Sequence, residues 1–176
     1  MTGRRGRYVT ACLAVAVLVT GCVATRIRAE DRDRGFLLTI SAPRQVWASG
    51  QPIAVSSEFS YLGPGATEVW GPGPGPHVGF DVVELTGHRK MQAIWLLACQ
   101  SWTMTRLPIT TPFRKGGGYS DDDPDAAFYR QYFADPEFRL PAGRWQITAT
   151  APFSLGPDSC GGPAVDLRAS ITLTVQ

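Results

Sequence analysis

The chain contains no asparagine, so it carries no N-x-S/T acceptor for N-glycosylation. It has two histidines, His77 and His88, and its cationic residues are nearly all arginine. It has no C-x-x-C pair and no closely spaced histidine pair, which argues against a zinc site. It lacks G-x-S-x-G, S-x-x-K and H-E-x-x-H, the arrangements that set a nucleophile or a metal beside a base. No apolar run reaches the roughly 20 residues a helix needs to cross a bilayer, since Ala11 to Val19 falls well short. A surplus of positive charge is also missing once the leader is set aside. Residues 1–21 hold three of the 17 basic residues and no acid, leaving 14 against 15. Nothing remains of the electrostatic footprint that binding to nucleic acid requires.

The opening stretch of the chain has three parts. Arg4, Arg5 and Arg7 make a basic start, Ala11 to Val19 an apolar run, and Leu18-Val19-Thr20-Gly21-Cys22 an ending of small residues and cysteine. The first two are the n- and h-regions of a secretory signal peptide. The ending resembles the bacterial lipobox. That resemblance implies cleavage before Cys22, a diacylglyceryl thioether on its sulfur, and often an acyl chain on the new amino group. Two or three chains anchor stably where one is marginal. The expected location is therefore extracytoplasmic, with membrane lipid as the first partner, on the outer leaflet of the cell membrane or on an outer membrane.

About 155 residues remain, enough for one domain with its own core. Cys12 leaves with the leader and Cys22 is lipidated, so Cys99 and Cys160 are left as one pair in an oxidising compartment, and a disulfide is expected. In the chain-entropy model a loop of that length stabilises by about 4 kcal/mol. Val23 to Gly35 alternates charge with few apolar residues, so 22–35 reads as a flexible tether and 36–176 as the folded domain.

From Phe36 the pattern has period two. Phe36, Leu38 and Ile40 share a face, as do Ile53, Val55, Phe59 and Tyr61. Thr67 to Trp70 reads as a short strand, followed by a Gly-Pro repeat, Gly71 to Pro76, that cannot join a ladder. The repeat fits no phosphate-loop spacing. Val78 to Leu85 and Met91 to Cys99 read as a hairpin around Gly87. Its second arm is apolar on both faces and is expected to be central. Leu107 and Ile109 suit an edge strand whose pairing Pro108 and Pro112 limit. Asp123-Pro124 suits a helix start, and Ala126 to Ala134 a short helix with Phe128 and Tyr132 on one face. Trp145, Ile147 and Ala149, then Leu167 to Val175, give the two clearest alternations.

Seven or eight strands joined by turns, with one possible helix at 124–134, predict an all-β antiparallel sandwich. Leu140-Pro141-Ala142-Gly143-Arg144-Trp145-Gln146-Ile147-Thr148-Ala149 resembles a strand edge of bacterial immunoglobulin-like ectodomains. Thr39-Ile40 through Gly50-Gln51-Pro52-Ile53, and the final Ile171 to Val175, resemble the first and last strands of that class. The resemblance covers 36–61 and 139–176. It implies an immunoglobulin-like architecture and no catalytic residue.

No catalytic, metal or cofactor site is expected. The four aspartates Asp121, Asp122, Asp123 and Asp125 lack calcium-loop spacing. Trp95 and Trp145 are expected in the core and Trp70 partly exposed. Function concentrates on loops held by a rigid scaffold, so Trp70, His77, Asp121 and Asp122, on the loops around 70–77 and 114–125, form the candidate binding surface. The expected role is a non-catalytic binding or assembly module with a protein partner on the envelope surface. A small-ligand or metal-binding lipoprotein is the alternative, and an enzyme the third reading.

Overall fold

The computed structural model describes residues 26–72, 78–95, 99–156 and 164–176. The leader, Cys22, the Gly-Pro repeat beyond Pro72, His77 and Cys160 lie outside the described residues. Two sheets face each other. One holds β1 (Ile27–Asp33), β2 (Phe36–Ala42), β4 (Ser56–Tyr61) and β9 (Ile109–Pro112), in the order β1-β2-β4-β9. The other holds β3 (Val46–Trp47), β5 (Thr67–Pro72), β6 (Gly79–Glu84), β7 (Lys90–Met91), β8 (Cys99–Met104), β10 (Gly143–Ser154) and β11 (Ala164–Val175). Its path is β3-β11-β10-β5-β8, with β6 pairing both β10 and β7. One helix, α1 (Ala126–Ala134), completes the described elements. The expected all-β sandwich is present, with eleven strands among the described residues in place of seven or eight.

Alternation explains the interior. Trp145, Ile147, Ala149, Ala151 and Phe153 on β10 face Leu167, Ala169, Ile171 and Leu173 on β11, all buried. From the opposite sheet Phe36 and Phe59 enter, and Phe36 meets Phe153 edge-on at 4.6 Å between ring centres. Trp145 is fully buried, and its indole N–H donates to the Pro141 carbonyl at 3.0 Å. A buried tryptophan needs such an acceptor. This bond pins the entry into β10.

Three expectations are corrected. The charged stretch 22–35 is not a tether throughout, because Ile27–Asp33 is β1, paired along its length with β2. Burial is modest there, but main-chain bonds and a two-residue turn compensate. Arg34 and Gly35 both have positive φ, 48° and 82°, as hairpin turns matching sheet twist require. Arg26 and Arg28 donate to Ser41 and Thr39 on β2, laying their stems along the sheet.

The second correction concerns Met91 to Cys99. Strand ends after Met91, and 92–95 leaves the ladder. Ala93 N–H donates to the Asp81 carboxylate at 2.8 Å rather than to a strand. Ile94 is 59% exposed and Trp95 is half-buried, so this arm is not central and Trp95 is not core. A strand does begin at Cys99, as β8, on the sheet edge.

The helix lies where its spacing placed it, with a different start. Its cap is Asp125, while Asp123 accepts the Asp125 N–H at 2.8 Å. Tyr129 and Tyr132 are its buried residues, and Phe128 is only half-buried.

Candidate functional site

The site grows from a broken hairpin. β6 pairs with β10 from Trp145 to Thr150, and β5 meets β10 further on, at Ser154 opposite Trp70. β5 and β6 therefore follow one another along the same side of β10. Their partners are broken likewise, β8 lying against β5 and β7 against β6. At this break the segment 92–95 turns out of the sheet. Two glycines let other backbone reach it. A Cβ on Gly79 would lie 2.5 Å from Ala93 Cβ, and one on Gly117, whose φ is +92°, 2.8 Å from the Gln92 carbonyl oxygen.

The result is a cleft of about 510 Å³. One wall is Val78 to Phe80 with Ala93 and Ile94. The opposite wall is Thr110, Thr111 and Pro112 of β9, and Arg114 to Gly117 close one end. The cleft thus lies between the edge of one sheet and the broken hairpin of the other. Phe113 fastens this edge from inside, stacked on Phe138 at 3.8 Å and near Phe80 at 5.1 Å.

Among the described residues, the lining has two cations and no carboxylate. They differ in state. Lys115 is engaged: its ammonium donates to the carbonyls of Tyr132 and Asp135 at the end of α1, and stands 4.4 Å over the Tyr132 ring. Burial pushes the Lys115 ammonium below its ordinary value, the Asp135 charge opposes this, and Arg139 adds to it. Asp135 in turn is held below the usual carboxylate range, chiefly by the Glu137 N–H it accepts. Arg114 is exposed, with no hydrogen bond or ion pair among the described residues.

Of the residues singled out in the sequence as binding surface, the three that the structure describes are not gathered here. Trp70 is half-buried on β5, and Asp121 and Asp122 are exposed. None of the three lines the cleft. Asp121 pairs with Arg130 at 3.1 Å on the surface. Asp125 accepts from Arg89 at 3.1 Å and lies 2.6 Å from His88, which ties the β6–β7 hairpin to the helix start. Cys99 opens β8, while its expected partner Cys160, and with it the pairing, lies outside the described residues, as do His77 and Cys22. Sequence reasoning passed over Phe80, Ile94 and Thr110, whereas Arg114 opens the 114–125 loop that it did name as contact surface. The available signal was the run Arg114-Lys115-Gly116-Gly117-Gly118, where two charges precede three residues that allow close backbone approach.

Among the described residues, no group of three or more His, Cys, Asp or Glu is placed to hold a metal. No described helix is long and apolar enough to cross a membrane. The fold and this cleft define the class as a two-sheet β-sandwich with a lateral cleft at the edge of one sheet. The chain matches no protein-family model and no curated protein sequence.

Proposed function

We propose that this protein is a lipid-anchored, extracytoplasmic, non-catalytic binding or assembly module whose contact surface is the cleft between β9 and the broken hairpin. The cleft itself carries the reading. It is a preformed concavity with an apolar side, an exposed Ile94 and an Arg114 without a partner among the described residues. Such a site binds, and the reading assigns it no catalytic step.

The sandwich is read as immunoglobulin-like on its strand order. β2, β4 and β9 form one sheet in chain order, and β6, β10 and β11 adjoin in the other. This supports the assignment of A, B and E to one sheet and C, F and G to the other. The lipobox ending supports acylation at Cys22. β1 begins at Ile27, so residues 23–26 separate it from that anchor, a reach of about 14 Å at about 3.4 Å per residue. Across the first sheet Ile27 is level with Ala42, its neighbour Ser41 with Ser56, and Ser56 with Pro112. An anchored domain therefore holds the β9 end of the cleft near the membrane surface, which suits a partner in the envelope. A Cys99–Cys160 disulfide completes the proposal, supported by the bonded state of Cys99.

The test is a photo-crosslinking residue at Ile94 in the full chain, irradiated in its own membranes, with a Cys22→Ser form as control. One defined adduct from the anchored form alone is the expected result. No adduct at Ile94 or at a second cleft position, Thr111, overturns the reading. The size of the cleft favours one further reading, a small organic ligand. Native mass spectrometry of the purified protein reads that directly as a retained mass.

A further inference from the structure

The open edge of β9 lies inside the cleft. Phe113 N–H donates to the Val55 carbonyl at 3.0 Å, and Ser57 pairs with Thr111. Residues in an antiparallel ladder alternate between those bonded to the partner strand and those turned away. Ile109 and Thr111 therefore face β4, while Thr110 and Pro112 direct their main-chain groups outward. β9 has no strand on that side among the described residues. Thr110 offers one N–H and one C=O, and Pro112 a further C=O. Pro112 sits where its missing N–H costs no ladder bond. Thr110 and Pro112 are exposed, and both line the cleft.

We infer that the cleft takes an extended, acidic peptide segment of a partner protein, which adds to β9 as a strand and sets a carboxylate against Arg114. This rests on the cleft being the contact surface. Strand addition draws affinity from main-chain bonds and specificity from alternate side chains. Here Thr110 exchanges two bonds with one peptide residue, and Pro112 accepts a third. Pro108 and Pro112 bracket the edge and permit only this short register, which also guards it against promiscuous pairing. On the other wall Ala93 and Ile94 receive apolar side chains.

The charge decides the occupant. Among the described residues the cleft presents cations and no acid, and none of them pairs with Arg114, which can therefore make a bidentate pair with a carboxylate. The segment that precedes the described residues does not supply that acid. Residues 1–25 contain no Asp or Glu, and the remaining undescribed segments contain only Asp158. A second copy related by a two-fold axis through the cleft would bring the same cationic cleft, which does not complement itself.

The experiment uses a display library of random twelve-residue peptides, selected on the full lipidated protein in detergent micelles. Enriched peptides are then titrated by fluorescence anisotropy. The expected result is enrichment of proline-poor peptides carrying Asp or Glu. Arg114→Glu weakens them about tenfold or more, and a Glu→Gln peptide loses affinity for the wild type but little more for that variant. Thr110→Pro, which spares the β4 ladder, weakens binding roughly three- to tenfold. Leu107→Ser, outside the cleft, leaves binding unchanged. Should Thr110→Pro fold poorly, hydrogen exchange at the wild-type Thr110 amide reads the same bond, and peptide slows it. Peptides indifferent to Arg114→Glu that leave the Thr110 amide exchanging freely overturn the inference, as does a library with no enrichment. A specific Ile94 adduct alongside either result overturns strand addition alone. Absence of any cleft adduct or cleft-dependent peptide overturns the binding reading with it.

Discussion

Lys115 joins the cleft to the helix, and replacing it with methionine tests how. Lys115→Met keeps the stem and removes the charge and donors. The last carbonyls of a helix have no intrahelical donor, and Lys115 supplies one to Tyr132 and one to Asp135. Hydrogen bonds to charged groups contribute about 1.5–3 kcal/mol each when desolvated. The favourable charge at a helix C-terminus adds about 0.3–1 kcal/mol, and the cation over the Tyr132 ring about 0.5–2 kcal/mol. These terms do not add. Burial also opposes the charge, as the lowered Lys115 pKa records, and the residue is only half-buried. Taking the low end, a net loss of about 2 kcal/mol follows. For a domain of this size that is roughly 4–8 °C in Tm. Urea unfolding followed by tryptophan fluorescence measures the loss, and hydrogen exchange localises it to amides of α1. Lys115→Arg retains part of it. A Lys115→Met protein within about 0.5 kcal/mol of the parent would refute the argument, because the two carbonyls would then need no donor.

Gly117→Ala forces a Cβ to 2.8 Å from the Gln92 carbonyl at a φ of +92°, and is expected to cost about 1–3 kcal/mol by thermal melt. Trp145→Phe loses the bond to Pro141 and part of a buried ring, and is expected to cost about 2–3 kcal/mol in urea. Burial raises the Tyr132 phenol well above its ordinary value of about 10. The unfolded chain therefore loses this proton first as pH rises. Stability from this group is intact below about pH 10 and falls above it. Ultraviolet titration of the phenolate, compared with Tyr132→Phe, should show one tyrosine ionising only as the protein unfolds.

Strong periodicity made much of the fold legible. The alternations in Trp145 to Thr150 and Leu167 to Val175 give the central pair β10 and β11, because period two has one buried face and one register. Ala126 to Ala134 was readable for the same reason at helical spacing. β1 was not, since its hold on the sheet is main-chain pairing and arginine stems rather than an apolar stripe. The apolar Met91 to Cys99 misled in the opposite direction. Hydrophobicity marks what prefers burial, but Asp81 captures the Ala93 N–H and turns that segment aside.

The amino-acid sequence by itself determined the all-β class, the buried faces of the long strands and the helix, because these follow from local pattern and backbone chemistry. It did not determine the breaks, since Pro72 and Pro152 lie within paired strands. Only the tertiary structure decided the cleft. It brings together residues 78–80, 93–94 and 110–117, which no local period relates. Among the described residues it also leaves the outer edge of β9 open and Arg114 without a partner, and the open edge depends on which strands fail to pair.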